Sequence, residues 1–381
     1  MNGILKKTVV WGLIAVSYIA CSSGGSNGGS PPAPAKVYFA YVVNSFSNNV
    51  SAYTIDSTGA LTSMAGSPFA AGYQPISVAV DPTGKFAYVV NSLAPSTISA
   101  YTINSSTGAL TEITGSPFAL DGPAPWSSGC VSVDPTGKFV YVAAASLCIP
   151  AYMIDSTTGA LTEVAGSPFV VSEAAMEGPF SVAFDPTGKF AYAVVISEYG
   201  TVFANAIDSA TGALTEITGS PFGTVGTGGG SYYLAVDPTG KFVYVPNSSY
   251  ANVSGYAIDS ITGALTEITG SPFATGYSPG SIAVDPTGKF VYLANGTPNG
   301  VSGYTINSVT GALTEITGSP FAPGTNPGFM LVDPAGKFLY VAGQGIYAYA
   351  INSTTGALTE VAGSPFATGT APVSIAIVPI K

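Results

Sequence analysis

Beyond residue 36 the apolar positions fall in short runs, and many alternate with small or polar residues at a period of two. Ser281-Ile282-Ala283-Val284-Asp285 is such a run, and the period is that of a β-strand. Asp285-Pro286-Thr287-Gly288 follows as a tight turn, with Pro pre-setting its own dihedral, Gly accepting positive φ and Asp capping the first position. FVYLAN and VSGYTIN read as the second and third strands. A turn at SVTG then leads into ALTEITGSPF, the fourth. The pattern predicts four short antiparallel strands joined by hairpins in about 48 residues.

The unit recurs. TGALT begins at residues 58, 107, 158, 211, 262, 310 and 355, and SPF at 67, 116, 167, 220, 271, 319 and 364. DPTGKF begins at 81, 134, 185, 237 and 285, with DPAGKF at 333. A period of this length signals a propeller or a solenoid, and the two ends of the chain choose between them. Phe39 to Asn44 match the second strand at 86–91 with no first strand ahead, while Ser374 to Pro379 match that missing strand and then stop. A C-terminal strand joining three N-terminal ones closes a ring and removes an exposed sheet edge. The expected fold is all-β: a seven-bladed β-propeller over residues 36–381, four antiparallel strands per blade.

Composition narrows the chemistry. Among 381 residues there are 10 Lys, 20 acids and no His, and every cation is a Lys because Arg is absent. Imidazole-based triads and His-ligated zinc are excluded, as is bidentate guanidinium recognition of phosphate. A formal charge of −10 argues against nucleic acid, whose backbone is bound through Lys and Arg. The apolar runs past residue 20 are too short for membrane helices or for the strands of an outer-membrane barrel.

Residues 1–20 have a basic start at Lys6 and Lys7 and then an apolar stretch from Thr8 to Ala20, the pattern of a secretory signal. Its end, Tyr18-Ile19-Ala20-Cys21, resembles the lipobox of bacterial lipoproteins, with Tyr18 where Leu is usual. The resemblance implies cleavage before Cys21 and lipidation of its thiol. An ordinary cleaved signal with Cys21 nearby is the plainer alternative. Residues 22–35, SSGGSNGGSPPAPA, form a tether that is flexible and then stiffer. Ser22 after the Cys suits outer-membrane sorting. The expected address is therefore the cell envelope, lipid-anchored at the bacterial outer membrane and facing the periplasm or the exterior.

With its "SIAVDPTGKFVYLAN…VSGYTINSVTGALTEITGSPFA" units, the chain resembles the lactonase-type seven-bladed propellers named for 6-phosphogluconolactonase, which are related to YVTN-repeat surface propellers. The resemblance covers about residues 36–381. It implies a lactone hydrolase, but a propeller hosts many unrelated activities. Relatives use His, Arg and Glu at the channel mouth, and of these the chain supplies only Glu.

A residue present in every blade serves the blade. Tyr41, Tyr88, Tyr141, Tyr192, Tyr244, Tyr292 and Tyr340 in the second strand, and six Tyr in the third, read as inter-blade packing. What does not repeat lies in the loops after SPF and between the second and third strands, which emerge on one face of the ring. Asp121, Glu173, Glu177 and Glu198 are the acids outside repeated positions. Trp126, Tyr199, Tyr232, Tyr233 and Tyr250 accompany them as ligand-binding candidates. The four acids are weak candidates for a hard cation such as Ca²⁺, because no known loop spacing is present, and solvated loop acids are the plainer account. No other cofactor is expected. Cys130 and Cys148 belong to one blade; an oxidising compartment favours a disulfide, and two separate buried thiols are the alternative.

The sequence leads first to a lipid-anchored, monomeric binding or scaffold module whose variable face meets a glycan, a peptide or a surface protein. Its alternative is a lactone hydrolase, possible as a metal-assisted reaction.

Overall fold

The computed structural model describes residues 38–120, 129–143, 147–171, 178–195, 200–223, 233–275, 278–296, 300–321 and 328–379. Within the unit Lys36–Lys381, seven antiparallel sheets of four or five strands succeed one another along the chain, and a two-stranded ladder of Cys148–Ile149 with Phe169–Val170 adds to the third. Blade 2 shows the plan. Strands Pro75–Val80, Phe86–Asn91, Thr97–Ile103 and Leu110–Glu112 pair in chain order, and Phe118–Ala119 returns to the outer end of the third. In blade 1 the innermost strand is Pro372–Pro379, which pairs with Tyr38–Asn44 from Tyr38↔Pro379 to Asn44↔Pro372. The closure expected from the two chain ends is present.

Alternation along the second strand of blade 1 explains why every one of its residues is buried. In Tyr38–Asn44 the side chains of Phe39, Tyr41 and Val43 enter the apolar cluster shared with blade 2. Tyr38, Ala40 and Val42 enter the one shared with blade 7. Seven such clusters exist, one per seam between neighbouring blades. A blade has no core of its own, so the seams are where apolar burial stabilises the fold.

Polar latches cross the same seams. The phenol of each second-strand Tyr donates to the carbonyl of the TGALT glycine of the next blade: Tyr41 to Gly108 at 2.8 Å, Tyr141 to Gly212 at 2.8 Å, Tyr244 to Gly311 at 2.7 Å. Third-strand tyrosines reach the other way, Tyr101 to the Ala70 carbonyl at 2.7 Å and Tyr256 to that of Gly223 at 2.6 Å. Blade 4 departs from this pattern, having Asn205 where the others have Tyr and a bulky Phe203 two residues earlier; the Asn205 Nδ2 is buried without a partner.

The Asp of each DPTG turn is a buried cap, as the turn chemistry predicts. In Asp81, Oδ1 accepts from the Lys85 and Phe86 amides at 2.7 Å each, and Oδ2 accepts from the amide and hydroxyl of Thr83. These turns and the TGALT turns share one end of the blades. The loops after SPF and between the second and third strands share the other.

Cys130 and Cys148 are not joined, which corrects the expected disulfide. Cys130 lies in the innermost strand opposite Ala143, and Cys148 lies in the third-strand region, opposite Val170 of the outer return. The strand Phe139–Ala143 runs between them. Two strand spacings make about 10 Å, beyond the roughly 4.4–6.8 Å that a disulfide spans between Cα atoms. Proximity to the same end of a blade concealed this lateral separation.

Candidate functional site

The innermost strands line a central channel. Four residues before each turn Asp stand Ser77, Cys130, Ser181, Tyr233, Ser281 and Phe329, and the closing strand supplies Ser374 at the same level. Three of these serines latch the following blade. Ser374 Oγ accepts from the Val78 amide at 3.2 Å, Ser77 Oγ from Val131 at 3.1 Å, and Ser281 Oγ from Met330 at 3.2 Å. Ser181 does not: its hydroxyl is buried and has no partner. The blade it would latch has a first strand reduced to Ala235–Val236.

Tyr233 and Phe329 are the large members of this ring. They flank Ser281, whose small side chain lets their rings meet edge to face at a centroid distance of 5.7 Å. Each also lines two cavities, one on either side of the pair. The mouth cavity, about 510 Å³, opens toward the variable loops past Ser45, Ile76, Gln344 and Pro372, with Gly129, Gly280 and Gly328 in its wall. The inner cavity, about 320 Å³, continues down the channel past Ser77, Cys130, Ser132, Ser181 and Phe184. No charged side chain of the described residues lines either one.

The titratable groups here are held neutral. Burial pushes the Cys130 thiol up to about 12, against a smaller opposing effect of its hydrogen bond with Ser77. Burial raises the Tyr233 phenol well above its ordinary value, and the neighbouring Cys130 adds to the rise. Neither is a thiolate or phenolate at neutral pH, so neither is a ready nucleophile or base.

Backbone strain gathers at the same face. The non-glycine residues with positive φ among the described residues are Asn48 at 52°, Gln74 at 47°, Leu147 at 38°, Ala251 at 49° and Ala371 at 56°. All lie in mouth-side loops, where conformations costing about 1–3 kcal/mol each are characteristic of functional regions.

Of the residues singled out from sequence, Tyr233 stands in the channel ring, two residues before the strand Ala235–Val236. Tyr250 is half exposed at the end of a short turn, Ser248–Tyr250, on the mouth side. Asp121, Trp126, Glu173, Glu177, Glu198, Tyr199 and Tyr232 lie outside the described residues, as does Cys21. Among the described residues no group of three or more Cys, Asp or Glu is placed to hold a metal. Phe329 and Ser181 were not foreseen, although both are visible once the repeats are aligned on the turn Asp. An exposed apolar group on blades 1 and 2 was also missed: Phe46 and Tyr73 are 72% and 70% exposed, with Leu93 beside them. Their loops are tied together, the Gln74 amide donating to Asn48 Oδ1 at 2.8 Å and the Leu93 amide to the Tyr73 carbonyl at 3.4 Å.

Seven blades around a channel whose mouth carries the loops define a seven-bladed β-propeller. The chain belongs to the lactonase family of seven-bladed β-propellers, whose pattern it matches over residues 34–176 and 171–376. It is similar to a candidate 6-phosphogluconolactonase of Bacteroides fragilis at 22% identity, covering 92% of this chain and 100% of that one with a TM-score of 0.73. It is also similar to a periplasmic gluconolactonase of Pseudomonas aeruginosa at 18% identity, covering 91% and 100% with a TM-score of 0.72. Hydrazine synthase of Kuenenia stuttgartiensis shares the architecture at 19% identity, over 83% and 95%, with a TM-score of 0.56. At such identities the likeness is one of fold. No curated protein matches the chain.

Proposed function

We propose that this protein binds and hydrolyses an unphosphorylated, sugar-sized cyclic ester at the channel mouth, from a lipid-anchored position in the cell envelope. Family membership supports the reaction class. The observation that carries the choice of substrate is the mouth cavity of about 510 Å³ with no charged side chain among its described lining residues. A phosphorylated sugar acid needs cationic partners, and the repeated lysines from Lys85 to Lys337 follow the turns at the opposite end of the blades. In ring opening, water adds to the lactone carbonyl, the ring C–O bond breaks, and the water proton ends on the released alkoxide oxygen. With Cys130 and Tyr233 held protonated, the base comes from the carboxylates at Asp121, Glu173, Glu177 or Glu198. A bound Ca²⁺ among them would polarise the carbonyl. The basic start, the apolar stretch Thr8 to Ala20 and the lipobox-like Tyr18-Ile19-Ala20-Cys21 support the envelope address.

A second reading is favoured by the absence of charge among the described residues lining the mouth, together with exposed Phe46 and Tyr73. In it the face binds a glycan, a peptide or a surface protein without turnover, and Trp126, Tyr199, Tyr232 and Tyr250 serve as platforms. One experiment separates the two: turnover of glucono-δ-lactone and its 6-phosphate, with and without EDTA, by wild type and Glu177→Gln. Hydrolysis of the unphosphorylated lactone alone supports the proposal. No turnover of any γ- or δ-lactone, with a glycan array responding to Trp126→Ala, establishes the second reading.

A further inference from the structure

We infer that the channel contains a second ligand subsite, below the Tyr233–Phe329 pair, that takes an uncharged hydroxylated ring and holds it through Ser181. The inference deepens the proposed neutral-ligand reading, since it concerns the same channel, but it stands on separate observations. Tyr233 and Phe329 alone line both cavities, so together they form a diaphragm between the mouth and the inner chamber. The chamber's 320 Å³ exceeds what a six-membered ring with its hydroxyls fills. Its walls mix apolar strand residues with the hydroxyls of Ser77, Ser132 and Ser181, and no charge faces it among the described residues.

Ser181 marks where the ligand is held. Ser374, Ser77 and Ser281 spend their oxygens on the next blade's amide. Ser181 is 5% exposed, its oxygen has no partner, and it lines the chamber. A buried hydroxyl left unsatisfied costs stability that an apolar residue would not. Alanine at this position would be the cheaper wall for a chamber with no occupant. A ligand hydroxyl supplies the missing bond, and the adjacent Tyr233 and Phe329 rings cover the apolar face of a sugar-like ring.

Cys130 makes the subsite measurable. It lines the inner chamber and not the mouth, so its reaction with methyl methanethiosulfonate, followed by peptide-resolved mass spectrometry on the full chain, reports occupancy below the diaphragm. The probe is 1,5-anhydro-D-glucitol, a stable uncharged ring. We expect millimolar probe to slow Cys130 labelling at least fivefold in wild type and less than twofold in Ser181→Ala. Wild-type labelling indifferent to the probe, or equal protection in Ser181→Ala, overturns the subsite. Absence of lactone turnover bears on the proposed reaction and leaves this readout unaffected.

Discussion

The phenol of Tyr340 donates to the carbonyl of Gly59 at 2.9 Å, across 281 residues of sequence. It repeats at the closing seam the bond that Tyr88 makes to Gly159 and Tyr192 to Gly263. The first and last blades therefore meet as any two neighbours do, by an identical latch.

Tyr340→Phe and Tyr141→Phe should accordingly destabilise by similar amounts, about 1–2 kcal/mol each. Each leaves a buried glycine carbonyl without its donor. Urea denaturation followed by fluorescence checks this; a loss at Tyr340 several-fold larger than at Tyr141 would show that the closing seam differs from the others.

Ending the chain at Ala371 removes the strand Pro372–Pro379 and exposes Tyr38–Asn44 as an unpaired edge. The expected result is loss of cooperative unfolding and soluble aggregates on size-exclusion chromatography. Supplying the missing strand as a separate peptide should partly restore the monomer.

Asp185 accepts from the Lys189 amide at 2.7 Å, the Phe190 amide at 2.6 Å, and the amide and hydroxyl of Thr187. Asp185→Ala leaves those donors buried or half-buried, and should cost about 2–4 kcal/mol. A thermal melt unchanged from wild type would refute the cap.

Burial raises the phenol pKa of all seven second-strand tyrosines above the ordinary value near 10. Above pH 10 the unfolded chain loses these protons while the native ring retains them. Stability is therefore whole below pH 10 and falls as pH rises beyond it. Melting temperatures from pH 8 to 12 should be flat and then drop steeply, with the largest rise in phenolate absorbance accompanying unfolding.

Because Cys130 and Cys148 are unjoined, reductant should shift the melting temperature by less than about 1 °C. Both thiols should alkylate in denaturant without prior reduction; resistance of the pair would restore the disulfide.

The architecture was legible because its signals are local and repeated. DPTG specifies a turn by itself, and the half-units at residues 39–44 and 374–379 specify closure without any tertiary information. Tyr partners were half legible. Recurrence marked the tyrosines as inter-blade groups, but that each phenol seeks a glycine carbonyl of the next blade depends on the ring's geometry. The site was harder to read. Tyr233 belongs to the variable segment ahead of the strand Ala235–Val236, yet it stands at the register position where most blades carry Ser. Phe329 escaped because aromatics are common in every blade and only register distinguishes this one. The cysteine pair failed on lateral distance, which sequence separation does not encode.

Gly59 adopts a φ of +86°, and a Cβ there would sit 2.4 Å from the Phe338 ring. That same glycine receives the Tyr340 phenol, so donor, wedge and acceptor all recur once per unit. Each repeat thus carries one complete plug and one complete socket. Exchange of one unit for another would leave the phenol-to-glycine junctions intact. Blades can diverge in their loops, or be replaced by a copy of another, as long as their number still closes the circle.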